Sequence, residues 1–205
     1  MTIRFHQYDL PDLSLYDVEA VAIDTETLGL NPHRDRLCVI QLSPGDGTAD
    51  VVQIAAGQRR APNIVALLRN RRVTKLFHYA RFDVAVLHHT FGVMADPLFC
   101  TKIASRLTRT YTDRHGLKDI CSELLGVNIS KAQQSSDWAA EQLTPEQLEY
   151  AASDVLYLHR LREVLAYRLE RDGRVREAQA CFKFLPTRAK LDLMGWDEED
   201  IFAHS

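Results

Sequence analysis

Two acids, Asp24 and Glu26, close the apolar run Val21-Ala22-Ile23. Residues two apart in an extended chain point to the same side, so both carboxylates face one way. Unpaired carboxylates are costly to desolvate. A buried strand ending in two of them therefore calls for a divalent metal, or for helix-capping or salt-bridging partners. Asp83 follows His78-Tyr79-Ala80-Arg81-Phe82, and Tyr150 and Asp154 lie four residues apart, on one face of a helical pattern. Singly, each has an ordinary structural reading: an Asp near a helix start, or a tyrosine packed beside a surface acid. Together, Asp24, Glu26, Asp83 and Asp154 supply hard oxygen ligands for two Mg²⁺ or Mn²⁺ ions held roughly 3.5–4 Å apart, an arrangement suited to phosphodiester hydrolysis. One ion would activate water and the other would stabilise the leaving 3'-oxygen. The Tyr150 hydroxyl would orient that water or help move its proton. A phenol with an ordinary pKa near 10 is too weak a base to act without a metal.

The elements that position these groups follow from local pattern. Strands are predicted at Val21–Asp24, Leu37–Leu42 and Val51–Ile54, a three-stranded meander with the turn Pro44-Gly45-Asp46-Gly47 inside it. Pro62 to Leu68 reads as a helix with proline at its start. Val73 to His78 reads as a short strand, Phe82 to Leu87 as the first turns of a helix, and Met94 to Phe99 as another extended segment. Beyond Thr101 the chain is mainly helical, with a polar connection over Arg109 to His115. The strongest late helix starts near Pro145, where Thr144 and Gln147 form a capping-box pattern. Leu148, Ala151, Ala152 and Val155 supply its apolar face. These elements make a mixed sheet decorated by helices, with no repeat, no linker and no second domain.

Composition fits an ordinary globular protein of one domain: 205 residues, 46% hydrophobic and 26% charged. No stretch approaches the ~20 apolar residues that span a bilayer. The first residues lack a secretory core, so the expected location is the cytoplasm. Cys38, Cys100, Cys121 and Cys181 are scattered and read mostly as small buried hydrophobes. A net charge of −3 argues against wrapping long nucleic acid, but not against gripping a few nucleotides. Basic residues cluster at Arg59, Arg60, Arg69, Arg71, Arg72 and Lys75, and again at Lys102, Arg106, Arg109, Arg114 and Lys118. The second cluster also contains Tyr111, Thr112, His115 and Gly116, a mixture suited to phosphate and base contacts.

The three acidic motifs carry a family resemblance. Ile23-Asp24-Thr25-Glu26-Thr27 resembles the first motif of the DEDD exonuclease superfamily, and His78 to Asp83 its second. Tyr150-Ala151-Ala152-Ser153-Asp154 resembles the third motif of the tyrosine-containing branch, which includes ribonuclease D. Many members have Asn where Tyr79 stands. The likeness extends over nearly the whole chain and is similar to the compact nanoRNase C group, which lacks the extra helical domains of ribonuclease D. It implies an α/β, ribonuclease H-like fold with a five-stranded mixed sheet flanked by helices. It further implies 3'→5' hydrolysis of short single-stranded RNA to nucleoside 5'-monophosphates, some activity on single-stranded DNA, and a homo-octameric ring. The hydrophobic tail from Phe182 to Trp196 would pack on the domain and contribute to assembly.

The resemblance also nominates substrate contacts. Leu28 would wedge against terminal bases, Thr25 and Thr27 would lie near the terminal nucleotide, and His78 would reach phosphate or sugar. Lys131, Gln134 and Ser136 would line the nucleotide path, with Trp138 as a packing anchor. Arg109, Tyr111, Arg114 and His115 would meet the 5' side. Two competing functions remain: a broader exonuclease acting on longer or structured RNA or on DNA, and a non-catalytic nucleic-acid-binding protein.

Overall fold

The computed structural model describes residues 2–130 and 132–204. Six strands form one sheet in the order β1-β4-β3-β2-β5-β6. They are β1 (Thr2–Gln7), β2 (Ala20–Thr27), β3 (Leu37–Ser43), β4 (Thr48–Gln53), β5 (Thr74–Phe77) and β6 (Leu98–Cys100). The expected meander is present, since β2 pairs antiparallel with β3 and β3 with β4. The pairs β2–β5, β5–β6 and β1–β4 are parallel, which makes the sheet mixed.

The expectation of five strands is corrected to six. The additional strand is β1, which is polar enough at its edge to leave little periodic signal and is held by long-range contacts. Arg4 donates from Nε and Nη2 to the two oxygens of buried Asp50, at 2.7 and 2.8 Å. The His6 ring nitrogen Nε2 lies 2.8 Å from the same carboxylate, and the Tyr16 hydroxyl donates to it at 2.5 Å. One buried acid on β4 thus fastens the edge strand and the turn that follows it.

The helices are α1 (Pro62–Arg69), α2 (Ala80–Phe91), α3 (Thr101–Thr108), α4 (Leu117–Leu125), α5 (Pro145–Leu156), α6 (Leu158–Arg171) and α7 (Val175–Leu191). α5 packs on β2, β3 and β4, whereas α2 packs between the sheet and α7. The capping box of α5 is formed: the Gln147 N–H donates to Thr144 Oγ1 at 3.2 Å, and the Thr144 N–H donates to Gln147 Oε1 at 2.9 Å. The late helical run divides at Tyr157 into α5 and α6. The core joins Val21, Ile23, Ile40, Leu42, Val52, Leu76 and Phe77 of the sheet to Val84, Leu87, Val155, Leu161 and Leu165 of the helices.

Two residues of the basic clusters, Lys75 and Arg109, are interior. Lys75 is fully buried and its ammonium donates to the carbonyls of Asn70, Val73 and Asp96 at 2.7–2.9 Å. Burial lowers its pKa to about 8. Arg109 is likewise fully buried. Cys38, Cys100 and Cys121 are buried as expected, but Cys181 is exposed. Among the described residues, no helix is long and apolar enough to cross a membrane.

Candidate active site

β2 delivers Asp24 and Glu26 where its pairing with β3 shifts register, between Glu26 and Thr27. Such irregularities re-aim side chains at strand ends. α5 delivers Tyr150 and Asp154 from one face. Carboxylate oxygens of Asp24, Glu26 and Asp154 all lie within 4.8 Å of one another, a spacing a metal ion could bridge. Asp83, in the first turn of α2, stands outside this tightest group. It is joined to it by Thr25, whose hydroxyl donates to Asp83 Oδ1 at 2.7 Å.

Burial holds the Asp24 carboxyl well above the usual carboxylate range, reinforced by the charges of Asp83, Asp154 and Glu26. Glu26 is pushed up to about 9 by burial and then by Asp154 and Asp83. Asp83 rises to about 7, because burial outweighs its hydrogen bond from Thr25. Tyr150 is raised above an ordinary phenol by burial and by the Asp154 charge. Like charges gathered in a poorly solvated site give these shifts, and a divalent cation would reverse them. The donor set, all hard oxygen, therefore fits Mg²⁺ or Mn²⁺.

These groups line a cleft of about 350 Å³ whose walls also include Thr25, His78, Tyr79, Lys102, Gly116, Lys118 and Gln134. The acids come from β2, α2 and α5, and the cations from α3 and α4, so the cleft is polarised. Lys102 and Lys118 were absent from the sequence-derived set, although the basic cluster on α3 and α4 contained both. Gln41 was missed entirely. It lies opposite Asp24 on β3, is fully buried, and donates from Nε2 to Asp24 Oδ2 at 3.3 Å. A glutamine inside an apolar strand was the available signal.

The remaining nominated contacts divide. His78 and Gln134 line the cleft. The His78 ring has Nδ1 2.9 Å from Thr101 Oγ1, and burial followed by the Lys102 charge lowers its pKa to about 3. Thr27 donates to the Gly29 carbonyl at 2.5 Å. Leu28 is about half exposed (52%) rather than packed in the core. A Cβ at Gly29 would meet Asp35 Oδ2 at 2.3 Å, so the Asp35 side chain would have to shift to admit one.

Arg109, His115 and Ser136 each have hydrogen-bond partners within the fold. Arg109 pairs with Glu123 and donates to Ser105 Oγ and to the Arg114 carbonyl. His115 is buried, with Nδ1 2.9 Å from Ser105 Oγ. The polar connection 109–115 is thus organised around a buried guanidinium. The Ser136 hydroxyl accepts from Gln147 Nε2 at 2.8 Å and ties its segment to α5. Tyr111 and Arg114 are exposed but already bonded, to Glu123 and Asp119 respectively. Lys131 lies outside the described residues. Trp138 is buried as the expected anchor, its ring centroid 5.9 Å from that of Tyr150.

The profile of the 3'-5' exonuclease family matches residues 12–170, spanning every acid of the cleft. The chain belongs to this family. Within the 3'-5' exonuclease family it is ribonuclease D-like. The structure of Brucella melitensis NrnC with bound Mg²⁺ is 74% identical, with a TM-score of 0.97 and coverage of 100% of both chains. NrnC from that organism bound to pGG is 75% identical, with a TM-score of 0.98 and the same coverage. Ribonuclease D of Gluconacetobacter diazotrophicus is 36% identical over 155 residues, 76% of this chain and 39% of that protein. The chain thus spans about two-fifths of the length of the curated relatives it matches. Escherichia coli RNase D is 27% identical with a TM-score of 0.76, over 86% of this chain and 46% of that one. The ribonuclease H-like fold, a mixed sheet flanked by helices, is shared.

Proposed function

We propose that the chain is a 3'→5' exoribonuclease that degrades short single-stranded oligoribonucleotides to nucleoside 5'-monophosphates with two divalent ions, Mg²⁺ or Mn²⁺. The observation that carries this reading is the convergence of Asp24, Glu26 and Asp154 within 4.8 Å, beside Tyr150, in a cleft with Lys102 and Lys118 on its other walls. Asp24, Glu26, Asp83 and Asp154 would hold the ions. Bound there, the metals supply an activated water and neutralise charge that develops on the reacting phosphate.

The chain's own groups do the positioning. Gln41 fixes the rotamer of Asp24, and Thr25 fixes that of Asp83. Tyr150, beside the acids on the same face of α5 as Asp154, would orient the attacking water or help move its proton. Thr25 and Thr27 are spent on Asp83 and on Gly29, so their part is to shape the terminal nucleotide's pocket. Leu28, half exposed just beyond the end of β2, would be the wedge against the terminal bases. Lys102, Lys118 and the first turn of α4 face the cleft and would meet phosphate oxygens. Brucella NrnC bound to pGG supports a short nucleotide ligand for this chain also.

The same reading treats residues 1–205 as one exonuclease domain. In it, α7 and the turn that follows are a helical extension contributing to a homo-octamer. Exposed Met194, Trp196, Ile201 and Phe202 support an assembly role for that end. Four scattered free cysteines support a cytoplasmic setting.

The test is a time course with 5'-labelled RNAs of two, five and twenty nucleotides and matched DNA, in Mg²⁺ and in Mn²⁺. Stepwise release of 5'-monophosphates from the 3' end, fastest for the shortest RNA, is expected. Internal cleavage as the first event would end the exonuclease reading. Equal efficiency on all lengths, or a preference for DNA, would favour the broader exonuclease, and binding without turnover would favour the non-catalytic protein.

A further inference from the structure

Tyr79 stands where three cavities meet. It lines the catalytic cleft, a cavity of about 410 Å³ beneath Leu30 and Asp192, and a cavity of about 260 Å³ between α3 and α7. The cleft and the last of these share two wall residues, Tyr79 and Lys102. Lys102 Nζ sits 4.4 Å from the Tyr79 ring centroid, so cation and ring form one partition between the two spaces.

The backbone at Tyr79 is left-handed, with φ 70° and ψ 44°, immediately before α2. That conformation is unfavourable for a bulky residue with a Cβ and is far easier for Gly or Asn. The side chain makes no capping bond to α2 that would repay the strain. Strain of this kind persists where the surroundings enforce it, often at sites of function. What distinguishes tyrosine here is the ring that fills the partition.

Beyond the partition the surface suits a continuing strand of nucleic acid. Arg106 lies one turn along α3 from Lys102, is exposed, and makes no hydrogen bond or ion pair among the described residues. Ile103 and Phe184 supply an apolar floor for a base. Arg81 and Arg188, which also line this cavity, are both tied to Asp192.

We propose that Tyr79, braced by Lys102, is a specificity-determining residue that limits substrate length. It closes the cleft against a neighbouring cavity able to accept further nucleotides. A strand that outruns the cleft meets the ring instead of Arg106 and Phe184. This inference rests on the short-oligonucleotide reading above.

The test compares kcat/KM for two- and five-nucleotide RNAs in the wild type, Tyr79→Asn, Tyr79→Gly and Tyr79→Phe. Asn and Gly both accept the left-handed backbone, so two independent variants remove the ring without adding strain. Each should raise the five-to-two efficiency ratio by roughly tenfold, the scale of one cation–ring contact removed from the path. Tyr79→Phe retains ring and cation and should keep the wild-type ratio. Circular dichroism and thermal melts verify that each variant is folded. An unchanged ratio in folded Tyr79→Asn or Tyr79→Gly, or an equal loss on both lengths, overturns the partition. A wild type that treats both lengths equally would instead remove the short-substrate reading itself, and the partition with it.

Discussion

Asp24→Asn should abolish turnover and, without metal, make the protein more stable. Carboxylate oxygens of Asp24, Glu26 and Asp154 lie within 4.8 Å of one another. At an effective dielectric near 20, two unit charges 4.8 Å apart repel by about 3.5 kcal/mol. Removing the Asp24 charge removes two of the three pairwise repulsions in that group. Protonation already relieves part of the strain in the metal-free protein, so the expected gain at pH 8 is about 1–3 kcal/mol, or roughly 3–10 °C in Tm. The sign with pH follows from raised pKa values. Folded Asp83 and Glu26 titrate near 7 and 9, above their unfolded values of 3.8 and 4.5. Their contribution to stability is fully present below the unfolded values and is lost as pH climbs through the folded ones. Wild-type protein in EDTA should therefore melt lower at pH 8 than at pH 5, while Asp24→Asn flattens that dependence. Adding Mn²⁺ should raise the wild-type Tm at pH 8 and leave the variant nearly unmoved. Thermal melts in EDTA and in Mn²⁺ at both pH values, beside an RNA hydrolysis assay, measure all of this. A variant less stable than wild type in EDTA at pH 8, or an advantage equally large at pH 5, would refute the electrostatic argument.

Tyr150→Phe should reduce kcat by about 10²–10⁴-fold, the range for one lost proton-handling group, while its Tm stays near wild type because the ring still packs on Trp138. A rate within threefold of wild type would remove Tyr150 from the chemistry. Lys75→Met should destabilise by on the order of 2–4 kcal/mol in urea unfolding, because it strips the donor from three carbonyls around a fully buried site. Because the folded Lys75 pKa, about 8, is below the unfolded 10.5, the wild-type advantage should widen between those pH values. Thr144→Ala removes the cap of the helix carrying Tyr150 and Asp154, and should lower stability by about 1 kcal/mol with the metal requirement unaltered. Urea midpoints for Thr144→Ala that match wild type would show that the cap is idle.

The chemistry was legible because its signals are local. Asp24 and Glu26 share a side by strand alternation, Tyr150 and Asp154 share a face by helical spacing, and Thr144 with Gln147 announces a helix start within four residues. Each is set by backbone periodicity, so no knowledge of distant partners was needed. Tertiary structure decided what depends on residues far apart in the chain. β1 exists as a strand because Asp50, more than forty residues away, gathers Arg4 and His6. Lys75 and Arg109 look like surface charge in sequence, yet both are interior because backbone carbonyls and Glu123 accept their protons. Thr25 and Gln41 acquire their roles only when folding sets them against Asp83 and Asp24. The residue types and spacings determined which acids could hold metal. Folding alone determined how closely they gather, which groups brace them, and that the ring of Tyr79 stands between the cleft and its neighbour. Charge repulsion, burial and cavity shape are properties of assembled surfaces, and one chain segment carries no record of the segments it will meet.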